Sequence, residues 1–193
     1  DRQQTNLSRF SLFFPERRNF FIENGDLFAN FGFSQIRPFF SRKIGLKDGG
    51  TIPILGGARL SGKVGDNWRV GAMSMQTDGG TAGLGQNFSV AALQRQVGKS
   101  SNIGIIGVNR SSLENGDFVK SAFNRLLGVE YNFASADRNH RGKVFFHKSF
   151  TFDKPADSYA HASWYTFSTP SFRAMWNHEY VGKNYNAAVG FVP

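Results

Sequence analysis

Cysteine is absent from the 193 residues, so neither a disulfide framework nor a thiolate metal site is available. No apolar run reaches the roughly 18 residues of a transmembrane helix. No signal peptide opens the chain; Asp1-Arg2-Gln3-Gln4 reads as an internal start. Acidic side chains are few, 14 against 23 Lys and Arg, for a net charge of +9. Such a balance suits nucleic acid, anionic lipid or acidic glycan, or merely a solvated surface. Proline is scarce at 6, whereas Phe at 21 and Gly at 22 are abundant. Helical periodicity is missing after residue 50.

What is present there is a two-residue period. Ile54, Gly56, Ala58, Leu60, Gly62 and Val64 share one face, with Arg59, Ser61 and Lys63 opposite. Trp68, Val70 and Ala72 oppose Arg69. Phe88, Val90 and Ala92 alternate with Ser89 and Ala91. Leu127, Val129, Tyr131 and Phe133 oppose Gly128, Glu130 and Asn132. Phe172, Ala174 and Trp176 oppose Arg173, Asn177 and Glu179, and Tyr185, Ala187, Val189 and Phe191 read as one more strand start. About ten such segments with turn signals between them make the chain all-β.

Three features favour a membrane barrel over a soluble sandwich. The segments run about nine to eleven residues, the length of a tilted membrane strand. Charged and apolar residues alternate within them, which a water-filled lumen allows and a solvent-exposed sheet face would allow as well. Connections alternate in length: "VGDN", "GKSS" and "STPS" are tight, whereas "TDGGTAGLGQ", "RSSLENGDFVKSA" and "TFDKPAD" are long. The expectation is an antiparallel up-and-down transmembrane β-barrel over residues 34–193, the N-terminal part of a larger barrel, with "SQIRPFFSRKIG" as its first strand. Short turns face the periplasm in such barrels, which puts the chain before residue 34 on that side. Trp68, Trp164, Trp176, Tyr180 and Tyr185 are candidates for interface girdles.

Residues 1–33 are a different kind of segment. "RFSLFFPERRNFFIENGDLF" is too polar at its centre to span a membrane and too apolar for an ordinary loop. Pro15 and Glu16 suit the start of a short helix, and "ENGD" its stop. A strap at the periplasmic rim or a partial plug both fit, with Arg17 and Arg18 candidates for lipid phosphates or lumen carboxylates.

"NLSRFSLFFPERRNFFIENGDLF", "RPFFSRKIGL" and "GGARLSGKVGDNWRVGAMSMQT" resemble a family of large outer-membrane proteins of Bacteroidota. In that family a domain like carbohydrate-binding module family 9 precedes a barrel domain of unassigned function. The resemblance spans essentially the whole chain and is most specific from Asn6 to Thr77. It implies a carbohydrate-binding-like domain before residue 1, on the periplasmic side, and a barrel that continues past residue 193. It supplies no catalytic residues.

Within a lumen, Arg59, Lys63, Arg69 and Arg173 would set an electrostatic preference, with Glu130 and Glu179 as partners. The expected function is passage or binding of a solute in an outer membrane, with a glycan or an anion as the candidates. Alternatives are a non-conducting anchor for the periplasmic domain, a barrel hydrolase, or a soluble sugar-binding β protein. His147 and His161 with Ser149, Ser163 and Glu130 would be the hydrolase set if they shared a face. His140 and His178 complete the four histidines, and no metal-type spacing joins them. "GGTAGLGQ" lacks the Lys-Ser/Thr of a phosphate loop and reads as a flexible loop. Asp78, Glu114, Asp117, Asp153 and Asp157 match no calcium loop. The basic residues are dispersed rather than gathered into a stripe with stacking aromatics, so nucleic acid is not an expected partner. No cofactor is expected, outer-membrane lipid is, and oligomeric state is not readable.

Overall fold

A computed structural model describes residues 16–22, 24–47, 50–79, 84–153 and 156–192. After a two-residue hairpin, β1 (Leu46–Lys47) and β2 (Gly50–Thr51), eight strands follow. They are β3 (Ile54–Val64), β4 (Trp68–Thr77), β5 (Gly85–Val97), β6 (Ser101–Glu114), β7 (Asp117–Ala134), β8 (His140–Thr151), β9 (Tyr159–Ser168) and β10 (Arg173–Val181). Each pairs antiparallel with its neighbour in sequence, giving one up-and-down sheet in the order β10 to β3. The shortest of these strands has 9 residues and the longest 18. Among the described residues β3 and β10 are edges, so the sheet is not closed into a barrel.

Turn chemistry fixes the hairpins. Gly65 and Gly98 take positive φ at the tight turns after β3 and β5. Between β6 and β7, Asn115 (φ 52) and Gly116 (φ 92) form the two-residue connection that an Asn-Gly pair favours. The long loop expected at "RSSLENGDFVKSA" is therefore a projecting hairpin, with a bulge at Ser111/Leu113. Its polar, alternating residues keep pairing because the turn needs only two residues.

Register separates the faces. Lys63, Arg69, Gln94, Gly104, Glu130, Phe145, Ala162 and Glu179 form one line of directly opposed partners across all eight strands. This is the inner face, because residues 16–45 and the return segment 182–192 pack on it. Phe21, Leu27, Phe28, Phe31, Phe39 and Ile44 bury themselves against Met73, Met75, Phe88, Val90, Ile106, Val108 and Leu126, together with Val189 of the return segment. On the outer face, Gly62, Val70, Leu93, Ile105, Val129 and Phe146 form a line, and so do Leu60, Ala72, Ala91, Gly107, Leu127 and Lys148. Leu60, Ile105, Leu127, Val129 and Phe146 are exposed there.

Several expectations need correction. Residues 34–45 are not a first strand. Pro38 has no N–H to give a ladder. Arg37 bridges only to Phe191, Ser41–Lys43 is a 3₁₀ turn, and Gly45 (φ 80) turns the chain into β1. Tyr185 to Phe191 is not a strand either. It folds back over the inner face, tied by Asn186 N–H to Ser149 and by both Ala188 N–H and the Asn186 carbonyl to the Asn124 amide. Phe88, Val90 and Ala92, the apolar side of β5, point inward beneath the N-terminal segment rather than outward. Pro15 lies outside the described residues. Beyond it are two four-residue helical turns, α1 (Asn19–Ile22) and α2 (Asp26–Ala29), joined through Asn24 at φ 47.

Candidate functional site

All six proposed lining residues fall on the inner face. Lys63, Arg69, Glu130 and Glu179 share the cross-strand line above. Arg59 and Arg173 keep even spacing from Lys63 and Glu179 on their own strands. Their surroundings divide them. Arg59 donates to the Phe20 carbonyl at 2.6 Å and lies over the Phe28 ring at 5.1 Å. Arg69 pairs with Asp26 at 2.7 Å and donates to Gln94. Glu130 is buried, 2.9 Å from Lys143, and accepts from Gly32 N–H at 3.0 Å and from Asn132 at 2.9 Å. Lys143 also donates to the Asn30 carbonyl. Three of the six therefore hold the N-terminal segment, whereas Lys63, Arg173 and Glu179 remain exposed.

The seat of that segment is cut in glycine. A Cβ at Gly104 would lie 2.9 Å from the Phe31 ring, and one at Gly71 2.6 Å from the Phe28 ring. Both glycines interrupt the inner face where a phenylalanine must approach the backbone.

At the start of the segment, Glu16 accepts from Arg18 and from the Ser41 hydroxyl at 2.6 Å. Burial pushes the Glu16 carboxyl up, but these hydrogen bonds and the Arg18 charge outweigh it and hold it at about 2. Arg18 also donates to the carbonyls of Ile44 and Ser41 and lies over Phe21. Its carboxylate partner is therefore within its own segment, not on a strand. Arg17 is exposed.

Several cavities open on the inner face, and two of them bear on the proposed residues. One of about 260 Å³ lies under the segment between Glu16, Asp26, Phe28, Arg37 and Arg59. The other, about 480 Å³, is lined by Gln35, Lys143, Trp164, Asn177 and Glu179. Trp164 faces inward, opposite Lys143, which corrects its assignment to an interface girdle. Trp68, Trp176 and Tyr180 do face outward, and Tyr185 sits in the return segment against His147. The sequence pattern put Asn177 on the face of Arg173 and Glu179 without marking it as a lining residue, assigned Trp164 to a girdle and missed Lys143, whose even spacing from His147 was the available signal.

The hydrolase constellation does not assemble. His147, Ser149 and Glu130 are inward, but His161 pairs with Phe146 and Ser163 with Val144 on the outer face. Ser149 donates to the Ser158 carbonyl and accepts from Asn186 N–H, so its hydroxyl serves the return segment. His147 stacks on Phe145, faces the Tyr185 hydroxyl at 3.4 Å, and makes no hydrogen bond to Ser149 among the described residues. No group of three or more His, Asp or Glu that could hold a metal occurs among the described residues.

The geometry defines a class: an antiparallel all-β sheet with one face that carries charges and is partly covered by residues of its own chain, and an opposite face with exposed apolar side chains. Scans of family models, curated proteins and solved structures return no match to this chain.

Proposed function

We propose that the chain forms part of the wall of an outer-membrane β-barrel in a Gram-negative bacterium, and that its inner face binds or passes a solute. The carrying observation is the partition within single strands. Leu60, Ile103, Ile105, Leu127, Val129, Val144 and Phe146 are exposed on one face, and the charged line from Lys63 to Glu179 occupies the other. Each strand of the sheet reaches the length needed to cross a bilayer when tilted. The turns after β3, β5, β7 and β9 lie at one end, which this reading makes the periplasmic one, and the longer connections after β4 and β8 lie at the other with the projecting β6–β7 hairpin. Asn24 and Asp26 contact Ser61 and Arg69 near the short-turn end, and Ile52 pairs with Gly45 at the other. The N-terminal segment doubles back along the inner face: Glu16 and Arg18 bond Ser41 and Ile44 near the long-loop end, and residues 24–26 lie nearer the short-turn end. The cavity between Trp164, Asn177 and Glu179 offers a ring face, an amide and a carboxylate, a set suited to a sugar or other polar solute.

A second reading is a non-conducting anchor for a periplasmic domain, which the resemblance to the Bacteroidota family implies. It is favoured by the engagement of Arg59, Arg69 and Glu130 with the N-terminal segment. Planar-bilayer recording on the full-length protein separates the two. Solute passage requires that Gly104→Leu, which displaces Phe31, raise conductance with anion preference, and that replacing Lys63 and Arg173 weaken that preference. A silent barrel in both variants selects the anchor.

A further inference from the structure

On the outer face the apolar line Leu60, Ala72, Ala91, Gly107 and Leu127 is followed, two positions nearer the long-loop end, by Ala58, Ser74, Ser89, Asn109 and Arg125. The change from apolar to polar occurs on four adjacent strands at one level. A groove of about 890 Å³ spans the step. Its floor is Ala72, Ala91 and Gly107, and a Cβ at Gly107 would meet nothing within 4 Å. Its upper end carries Ser89, Asn109 and Arg125. Ser74 and Ser89 are 3.4 Å apart, and Arg125 Nε donates to Asn109 Oδ1, which turns the guanidinium along the polar line. Among the described strand positions below the Ser111/Leu113 bulge, the outer face carries Arg95, Arg125 and Lys148 and no carboxylate; Glu130 and Glu179 both point inward.

We propose that this groove binds a phosphorylated glycolipid of the outer leaflet, of the lipid A class. With the sheet in an outer membrane, as proposed above, the long-loop end is the outer surface. A lipid there presents acyl chains to the small-residue floor and its headgroup to the polar line. Phosphate matches the strand positions at this step, whose charges are positive, and sugar hydroxyls match the Ser89 and Asn109 side chains; the outer-face carboxylate of Asp157 is bound to Tyr180 beyond β8. Arg125 is the phosphate anchor, with Lys148 one strand further on.

The full chain, purified in detergent, is incubated with bisphosphorylated lipid A, its dephosphorylated form, or phosphatidylglycerol, and retained lipid is counted by native mass spectrometry. Folding of every variant is checked by its gel mobility before and after boiling. Retention of bisphosphorylated lipid A, reduced about tenfold by Arg125→Gln and by loss of the phosphates, supports the site. Gly107→Phe, which fills the floor, should abolish retention; if that variant does not fold, Arg125→Gln carries the test. Equal retention of the dephosphorylated lipid, equal retention of phosphatidylglycerol, or indifference to Arg125→Gln overturns the site while leaving the barrel intact. A chain that stays folded without detergent and shows no mobility change on boiling overturns the membrane reading itself.

Discussion

The two faces of the sheet use the same apolar residue types to opposite ends. Val90, Ile106, Val108 and Leu126 on the inner face are buried by the chain's own N-terminal and return segments. Leu60, Ile105, Leu127 and Val129 on the outer face are exposed, with no protein over them among the described residues. Hydrophobicity alone does not tell an interior from an exterior in such a sheet. Carboxylates do: below the Ser111/Leu113 bulge the strands' carboxylates Glu130 and Glu179 point inward, where Lys143 and the backbone of the N-terminal segment can meet the first of them.

The largest effect should come from breaking the Glu130–Lys143 pair. Both side chains are nearly inaccessible, so Glu130→Ala leaves a buried ammonium without its partner and should cost about 3–5 kcal/mol. Unfolding in detergent against denaturant measures this, and pairing Glu130→Ala with Lys143→Met should recover part of the loss. A loss near zero would mean that the N-terminal segment does not rest on this pair.

On the outer face, Leu127→Arg should lower folding into lipid vesicles by about 2–4 kcal/mol, whereas Met175→Arg, exposed on the inner face opposite Thr166, should change it little. Equal effects at the two positions would erase the distinction between the faces.

Gly104→Leu should next expose residues 16–45 to limited proteolysis while the strands stay protected, because it displaces Phe31 and crowds the Glu130 side chain, 3.3 Å from the added Cβ, which holds Gly32. Protection unchanged from the parent chain would contradict the seat described for that ring.

The smallest effect is set by pH. The Glu16 carboxyl is held at about 2, below its ordinary value of 4.5. Its contribution to anchoring is complete above that ordinary value and is lost as pH falls through about 2. Protease access to the segment should rise over that window, and Glu16→Gln should flatten the profile. A profile that persists in the variant would assign the pH response to another group.

Much of this was legible from alternation. A period of two over strands such as Leu127–Phe133 places every second residue on a common face, so the inward placement of Arg59, Lys63, Arg69, Glu130, Arg173 and Glu179 followed from parity. Parity failed where both faces are apolar, as in β5, and where residues 34–45 and 185–191 alternate without joining the eight-stranded sheet, bridging instead through Arg37 and Phe191. Those two stretches are drawn onto the sheet by burial of Phe39, Ile44, Val189 and Phe191, which no local pattern encodes. The split of His147 from His161 was hidden because it depends on the register between β8 and β9.

The sequence by itself determined that the chain is extended, antiparallel and two-faced, since side-chain period and turn residues are local properties. Only the tertiary structure decided which face is covered, and that three of the six inner charges hold the N-terminal segment. That outcome depends on residues about a hundred positions apart, such as Gly32 and Glu130, meeting across the sheet, where burial makes a charge seek a partner.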